Sequence, residues 1–285
     1  MPAVTVVRVD GLAHVNQLVD DIGRAEAFYT DVFGARLFWR QYDEEENRDA
    51  CLFLVGDLCI ELFAPRDAHS LLGASLARYG NSWHSFEWQV PDLDEARAAL
   101  LERGVRIPVD RPGEFLMTHP ADCHGMLLEL SPMTMPGDPR AEPGWGPGSW
   151  SDRDPLGTTG LQRLTVAVRD LTAASSWLTG LLGVEVGYAE HRSELDADVV
   201  GVPVADHVVE LVQARNASGP IAEHVQRWGQ RLRSIELGVR DLDRATAHLT
   251  GRGLRLEPGS RAGAVAIAEA DNWGVRWELA VASAG

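Results

Sequence analysis

The sequence predicts an α+β protein built from four βαβββ units in two tandem domains. Two recurring sequence patterns support this prediction. A strand that ends in V-x-D-[LI] and leads into a helix occurs four times, at residues 19–22, 90–93, 168–171 and 239–242. A later strand with a Glu-Leu pair follows each of them, at Glu61-Leu62, Glu129-Leu130, Glu210-Leu211 and Glu278-Leu279. Self-similarity at a regular spacing is the signature of a repeated supersecondary unit.

The first unit shows how the elements are predicted. Residues 11–19 form a strand-like run, and Asp20-Asp21 begins a helix whose apolar residues recur at helical spacing. Gly34 stands where a helix C-cap is expected. The remaining elements are a loop over the acidic stretch 42–49 and hairpin strands over 50–55 and 58–63.

The second unit repeats this order and leads into a linker. It has a strand at Trp83–Val90 and a helix from Asp92 through Arg103. Short strands are predicted around 105–107, 115–118 and 126–130. A stretch rich in Pro and Gly then separates the second unit from the third. The predicted organisation is an N-terminal domain over 1–133, a linker over 134–159 and a C-terminal domain over 160–285.

Composition limits the partners. The net charge of -16 argues against nucleic acid and anionic membranes, and it disfavours a highly anionic ligand unless basic residues cluster locally. No apolar run is long enough to span a membrane, and the N-terminus lacks a secretory pattern. The three cysteines, Cys51, Cys59 and Cys123, have no metal-type spacing. We therefore expect a cytoplasmic protein whose partner is a small molecule.

Glu129 is the first candidate for chemistry. It lies between Leu128 and Leu130, after the turn-like segment THPADCHG. Side chains alternate along a strand, so Glu129 faces away from these leucines. A carboxylate in such a strand must be solvated, paired or bound to metal, because an isolated buried charge is too costly. The same arrangement occurs in all four units. This recurrence favours a functional role for the carboxylate over the alternative that it simply lies on a solvent-exposed strand face.

Paired units that begin H-V-x-x-x-V-x-D and close on a Glu-Leu strand resemble the vicinal oxygen chelate superfamily. This superfamily holds glyoxalase I, methylmalonyl-CoA epimerase, extradiol dioxygenases and bleomycin-resistance-type binding proteins. The first half is most similar to methylmalonyl-CoA epimerases, at His14-Val15, at IELFAP over 60–65, at SLAR over 75–78 and at HPADCHGMLLEL over 119–130. The resemblance implies that each domain is a curled mixed-sheet cup. Pairing of the units within one chain or across a homodimer stays open.

The resemblance also implies a divalent metal held by two histidines and two Glu or Gln residues. His14, Glu61 and Glu129 match three of these positions. At the fourth, Ser85 stands where the second histidine is expected, and His84 lies one residue earlier. Alternation turns His84 away from the cup unless a bulge shifts the register, whereas Glu87 has the parity to face it. His84 and Glu87 therefore remain alternatives for the fourth ligand.

The C-terminal domain departs further from the family pattern. Arg163 replaces the first histidine and Ser234 stands at the second, while the carboxylates of Glu210, Glu236 and Glu278 remain. An arginine among these carboxylates is expected to form ion pairs where the metal would lie. We expect this domain to be structural or to hold an organic ligand.

Three functions follow from the resemblance. The first is a metal-dependent isomerase, epimerase or lyase that abstracts a proton next to a carbonyl while the metal stabilises the enolate, with Glu129, Glu61 or Glu87 as the base. Mg, Mn, Co, Ni, Zn and Fe all suit these ligands. The second is an iron-dependent extradiol-type dioxygenase, which needs His84 as a ligand, with His119 or His124 for proton transfer. The third is a metal-free binding or resistance protein in which Trp39, Trp83 and Trp88 surround an organic molecule.

Overall fold

The computed structural model describes residues 5–146, 149–150 and 154–282. Residues 147–148 and 151–153 of the predicted linker lie outside the described residues, as do the two ends of the chain. The described chain forms two curled, mixed eight-stranded sheets with helices packed on them, which confirms the predicted α+β class and the four βαβββ units.

The first sheet contains eight strands from the first two units. They are β1 (Gly11–Leu18), β2 (Arg36–Asp43), β3 (Arg48–Val55), β4 (Leu58–Pro65), β5 (Ser82–Gln89), β6 (Val109–Arg111), β7 (Phe115–Met117) and β8 (Leu128–Ser131). Their spatial order is β2-β3-β4-β1-β5-β8-β7-β6. The pairs β1/β4 and β5/β8 are parallel, and the hairpin pairs are antiparallel.

The second sheet repeats this topology. Its strands are β9 (Thr158–Ala167), β10 (Tyr188–Arg192), β11 (Ala197–Val204), β12 (His207–Ala214), β13 (Arg231–Val239), β14 (Leu256–Pro258), β15 (Ala264–Ile267) and β16 (Arg276–Val281). Their order is β10-β11-β12-β9-β13-β16-β15-β14. Each strand therefore has a counterpart in the first sheet, and residues at the same register position are directly comparable.

Six α-helices in the described part of the chain connect the strands. They are α1 (Ile22–Phe33), α2 (Leu71–Tyr79), α3 (Leu93–Glu102), α4 (Leu171–Leu182), α5 (Pro220–Trp228) and α6 (Leu242–Gly251). The repeated V-x-D-[LI] motif has a clear structural cause, because its Asp is the N-cap of α1, α3, α4 and α6. In each case the carboxylate accepts a hydrogen bond from a backbone N–H of the first turn, which that turn cannot satisfy by itself.

The chain also divides into two compact units. One contains 5–13, 85–133 and 163–233, and there the buried Trp88 indole donates to His207 Nε2 at 3.3 Å. The other contains 14–84, the described residues of 134–162, and 234–282. Its interior holds Tyr29, whose hydroxyl donates to Gln17 and accepts from the indole of Trp277.

Two sequence predictions need correction, and two helices were missed. Only half of the stretch 42–49 is a loop, because β2 continues through Asp43 and β3 begins at Arg48, with a turn over 44–47. The strand predicted around 105–107 is wrong, and the edge strand of this hairpin is 109–111. The helices α2 and α5 were not predicted, although α2 begins at a capping serine, Ser70.

No helix in the described part of the chain is both long and apolar enough to cross a membrane.

Candidate metal centre

His14 lies on β1 and is almost fully buried. Burial lowers the pKa of its imidazole to about 3, and the positive charges of Arg140 and then Arg48 act in the same direction. Asp138 opposes them weakly. The ring is therefore neutral near pH 7, which is the protonation state that binds metal ions.

Two carboxylates face each other on the neighbouring strands β5 and β8. Glu87 and Glu129 are register partners in this parallel pair, and both are buried. The hydroxyl of Ser85, two residues before Glu87, donates to Glu129 Oε1 at 2.6 Å. The serine that stands at the expected histidine position thus orients a carboxylate.

His14, Glu87 and Glu129 come together on three adjacent strands of the first sheet. One ligand atom from each lies within 4.8 Å of the other two, and it is the one such group of three among the described residues. Two buried carboxylates at this separation repel each other, and a divalent cation between them would compensate both charges. One imidazole and two carboxylates form a donor set that suits several divalent ions.

Glu61 lies beside this group. Its Oε2 is 3.5 Å from His14 Nε2, and its Oε1 accepts a hydrogen bond from Arg48 Nη1 at 3.0 Å. Burial raises the pKa of Glu61, although Arg48 acts to lower it. Glu61 is therefore a carboxyl group whose proton affinity is increased, next to a candidate metal ligand.

The other predicted histidines lie elsewhere. His84 contacts the ring of Phe63 edge-on, with centroids 5.1 Å apart, and it does not belong to the group of three. His119 caps a short turn of 3-10 helix and contacts Arg106 at 3.2 Å. His124 packs against Trp177. Glu87, and not His84, thus lies with His14 and Glu129. His119 and His124, the two candidates for a dioxygenase acid-base group, are in contact with Arg106 and Trp177.

The predicted tryptophans are also engaged in packing. The indole of Trp83 donates to the backbone oxygen of Arg276 at 3.4 Å, and that of Trp88 donates to His207. Trp39 is half-buried against the cluster of Leu18, Ala50 and Phe63.

The second sheet has an arginine at each corresponding carboxylate. Register places Arg163 at the position of His14 and Glu210 at the position of Glu61. Glu210 is buried and accepts from Arg192 Nη1 at 2.9 Å and from the hydroxyl of Tyr188. Arg163 Nε lies 3.2 Å from the same carboxylate, which confirms the predicted ion pair there.

The same holds for the pair on β13 and β16. Glu236 and Glu278 are register partners, as Glu87 and Glu129 are in the first sheet. Glu236 accepts two hydrogen bonds from Arg261, at 2.9 and 3.0 Å. Glu278 accepts from Arg276 Nε at 2.8 Å and from the backbone N–H of Ser260 at 2.7 Å. These charges are balanced by guanidinium groups from the chain itself.

Sequence reasoning missed two arginines near the first site. Arg48 was placed in a predicted loop, yet it begins β3 and reaches Glu61. Arg140 belongs to the Pro/Gly-rich linker, where no periodicity signals a contact. A basic residue in an otherwise acidic stretch, such as Arg48 after Glu44–Glu46, is the one signal that the sequence offered.

Comparison with known proteins extends the description. A family profile described as the Glyoxalase/Bleomycin resistance protein/Dioxygenase superfamily matches residues 13–116, and another with the same description matches 160–279. The mitochondrial methylmalonyl-CoA epimerase of Bos taurus is 30% identical over 128 residues, which cover 42% of this chain and 72% of that protein.

Two solved structures illustrate the similarity. A variant of 4-hydroxymandelate synthase from Streptomyces coelicolor has a TM-score of 0.75, at 14% identity, and the match covers 98% of this chain and 95% of the synthase. At this identity the likeness shows the fold alone. A methylmalonyl-CoA epimerase from Mycobacterium tuberculosis is 30% identical, with a TM-score of 0.40, over 46% of this chain and 91% of that one.

Proposed function

Because the chain belongs to the Glyoxalase/Bleomycin resistance protein/Dioxygenase superfamily, we propose that it is a metal-dependent isomerase, epimerase or lyase. The reaction is proton transfer at a carbon next to a carbonyl group of a small molecule. The observation that carries the proposal is the convergence of His14, Glu87 and Glu129 in the first sheet.

These residues fit a divalent cation. His14 is neutral near pH 7 because burial lowers its pKa, and the two carboxylates supply charge that the ion balances. Ser85 holds Glu129 in place, as partners of metal ligands commonly do. When bound, the ion supplies Lewis acidity that stabilises negative charge developing on a substrate oxygen.

Glu61 is the base in this proposal. With Glu87 and Glu129 assigned to the metal, Glu61 is the remaining carboxyl group of the three that the sequence nominated. Arg48 orients it, and burial raises its pKa, which improves its capacity to accept a proton from carbon. Glu61 takes the proton from the substrate carbon. In an isomerisation it returns the proton to a neighbouring carbon, whereas an epimerisation requires that a proton reach the opposite face of the same carbon.

The similarity to the bovine epimerase supports an epimerase in particular and gives a first substrate to test, methylmalonyl-CoA. An iron dioxygenase is not proposed, because the hypothesis required a second histidine ligand and the group of three contains one. The carboxylate Glu87 takes part instead.

Deuterium exchange tests the proposal directly. The protein is loaded with a divalent ion and incubated in D2O with methylmalonyl-CoA, and then with a panel of 2-hydroxy ketones and 2-oxo acids. We expect deuterium at the α-carbon of one class, detected by mass spectrometry. Glu61→Gln is expected to abolish the exchange and retain the metal. Glu46→Gln is the matched control, because Glu46 contacts Arg48 but is more exposed than Glu61.

Two results would contradict the proposal. Exchange that survives in Glu61→Gln would remove Glu61 as the base. If the metal-loaded protein catalyses no α-proton exchange in any probe, proton transfer is not its function, and the binding-protein alternative is favoured.

A further inference from the structure

Strand β2 turns two consecutive aromatic side chains towards one face of the first sheet. Along a regular strand, neighbouring side chains point to opposite faces. The register of β2 with β3 shifts between Leu37 and Trp39, so Phe38 is the extra residue of a β-bulge. Phe38 and Trp39 both pack against one buried apolar cluster, which consists of Leu52, Leu54 and Cys59. The bulge therefore gives this face one more aromatic ring than strict alternation would.

This face also carries Glu61, the base of the proposed reaction. Trp39 on β2 is the register partner of Leu52 on β3, and Leu52 is the partner of Glu61 on β4. Register partners project from the same face of a sheet, so the three side chains form one row. Adjacent strands are about 4.8 Å apart, which places Trp39 about 10 Å from Glu61 along the sheet. The row lies within one compact unit of the chain.

The linker segment 134–146 adds to the same surface. Its side chains Met135 and Trp145 pack against the cluster that Phe38 and Trp39 contact. The ring of Trp145 is supported by that of Trp150, with centroids 5.3 Å apart and an interplanar angle of 33°. We refer to four side chains as the apolar wall, namely Phe38, Trp39, Met135 and Trp145.

The apolar wall is partly accessible. All four of its side chains are half-buried, whereas Leu52 and Leu54 beneath them are buried. Aromatic rings pack on one another edge-to-face or offset, and a methionine sulfur makes favourable contacts with ring edges. An apolar surface beside a few polar groups is typical of a small-molecule site. Three rings and a thioether next to Glu61 suit a ligand that is itself aromatic.

We propose that the apolar wall binds an aromatic ring of the substrate, so that the substrate is a carbonyl compound with an aryl group on its carbonyl carbon. The position of the carbonyl group rests on the proposed function, whereas the binding of the ring belongs to the wall itself. Trp39, which lies in the row of Glu61, and Trp145 are specificity-determining residues.

Three neutral 2-hydroxy ketones test this inference. Hydroxyacetone, 2-hydroxyacetophenone and 1-cyclohexyl-2-hydroxyethanone differ only in the group on the carbonyl carbon, and ligand-observed NMR measures their dissociation constants. We expect the phenyl compound to bind about tenfold or more tightly than the methyl compound, because more apolar area is buried. It should also bind about two- to tenfold more tightly than the cyclohexyl compound, because only the phenyl ring gains aromatic contacts.

Variants of the wall show where the ring binds. Trp39→Leu and Trp145→Leu are each expected to lower the phenyl-to-methyl affinity ratio about threefold or more and to leave hydroxyacetone unchanged. Trp39→Phe keeps a ring and should retain most of the ratio. Trp273→Leu is the matched control, because Trp273 is also half-buried but contacts Arg24 of α1. It is expected to leave the ratio unchanged, and circular dichroism checks the fold of each variant.

The outcomes separate this inference from the proposed function, because binding is measured with and without a divalent ion. A ratio that falls in Trp39→Leu and Trp145→Leu but not in Trp273→Leu supports the inference. That result in metal-free protein would stand although the metal-dependent function failed. Equal deuterium exchange in hydroxyacetone and 2-hydroxyacetophenone would retain the proposed function and overturn the role of the wall. A wild-type ratio near one, a ratio unchanged in both variants, or no binding of any probe would also overturn it.

Discussion

The two sheets place carboxylates at the same register positions and balance them in different ways. Glu210, Glu236 and Glu278 in the second sheet each accept hydrogen bonds from an arginine. In the first sheet, Glu61 likewise accepts a hydrogen bond from Arg48, whereas Glu87 and Glu129 converge with a neutral imidazole and Ser85 donates to Glu129.

The difference shows what a buried carboxylate cluster demands. Taking such charges out of water is costly, and the cost must be offset by opposite charge close by. Guanidinium groups offset it permanently in the second sheet and make that face a structural network. In the first sheet Arg48 offsets the charge of Glu61, and we propose that a divalent cation binds between Glu87, Glu129 and the neutral histidine, which is the central claim of our account.

The largest effect is expected on breaking a second-sheet pair. The side chains of Arg192 and Glu210 are 5% and 1% exposed. Arg192→Met leaves Glu210 with less compensation, so we expect the free energy of unfolding to fall by about 3–5 kcal/mol. Urea unfolding followed by circular dichroism measures this change. The double variant Arg192→Met/Glu210→Leu should recover part of the loss.

Arg48→Met is the first-sheet counterpart. Arg48 is more exposed than Arg192, and the raised pKa of Glu61 allows that carboxyl to take up a proton at lower cost. We expect a loss of about 1–2 kcal/mol. Equal losses in Arg48→Met and Arg192→Met would mean that the two sheets use their arginines in the same way, contrary to our comparison.

A smaller effect is expected from the serine that supports Glu129. Ser85→Ala removes its hydroxyl donor, so we expect affinity for Mn²⁺ or Co²⁺ to fall about 10- to 100-fold, as for other partners of metal ligands. Competition with a fluorescent chelator measures this affinity. Ser234→Ala, at the corresponding position of the second sheet, should leave the affinity unchanged. The account would be in error if both serines mattered equally.

The pH dependence of stability is expected to reflect a buried histidine in each half of the chain. Burial lowers the pKa of His14 and of His224 to about 3, against about 6.5 when unfolded. Between these values the unfolded chain binds protons that the folded chain does not. The free energy of unfolding therefore falls as pH falls from about 6.5 towards 3.

His14→Gln and His224→Gln should each flatten this dependence in metal-free protein. The expected change is up to one proton, about 1.4 kcal/mol per pH unit. Chemical unfolding at a series of pH values measures it, and His69→Gln is the control because that side chain is exposed. An unchanged slope in both variants would show that the buried imidazoles do not limit stability in acid.

Much of the fold could be predicted from the sequence because it depends on interactions between residues that are close together in the chain. The V-x-D-[LI] motif identifies helix caps, which depend on a side chain and the first turn that follows it. The Glu-Leu strands gave the carboxylate positions, and the family resemblance gave the curled sheets. Both the family and the fold class are confirmed.

The remainder depends on contacts between distant segments. Whether His84 or Glu87 lies beside His14 depends on the register of strand β5. A shift of one residue would turn each side chain to the opposite face of the sheet. The alternation of side chains favoured Glu87, which the structure places beside His14. Arg140 lies in a linker without periodicity, so its position beside β4 follows only from the folded chain. The domain boundaries at 133 and 160 and the catalytic roles stay predictions.

Metal content tests the central claim most directly. Protein prepared without a polyhistidine tag or chelator is analysed by plasma mass spectrometry after incubation with several divalent ions, together with His14→Ala, His84→Ala and His119→Ala. We expect about one ion per chain in the wild type, as the one group of three ligands among the described residues implies, loss in His14→Ala, and retention in the other two variants. Absence of metal from the wild type under every condition, or retention in His14→Ala, would contradict the claim that a cation balances the carboxylates of the first sheet.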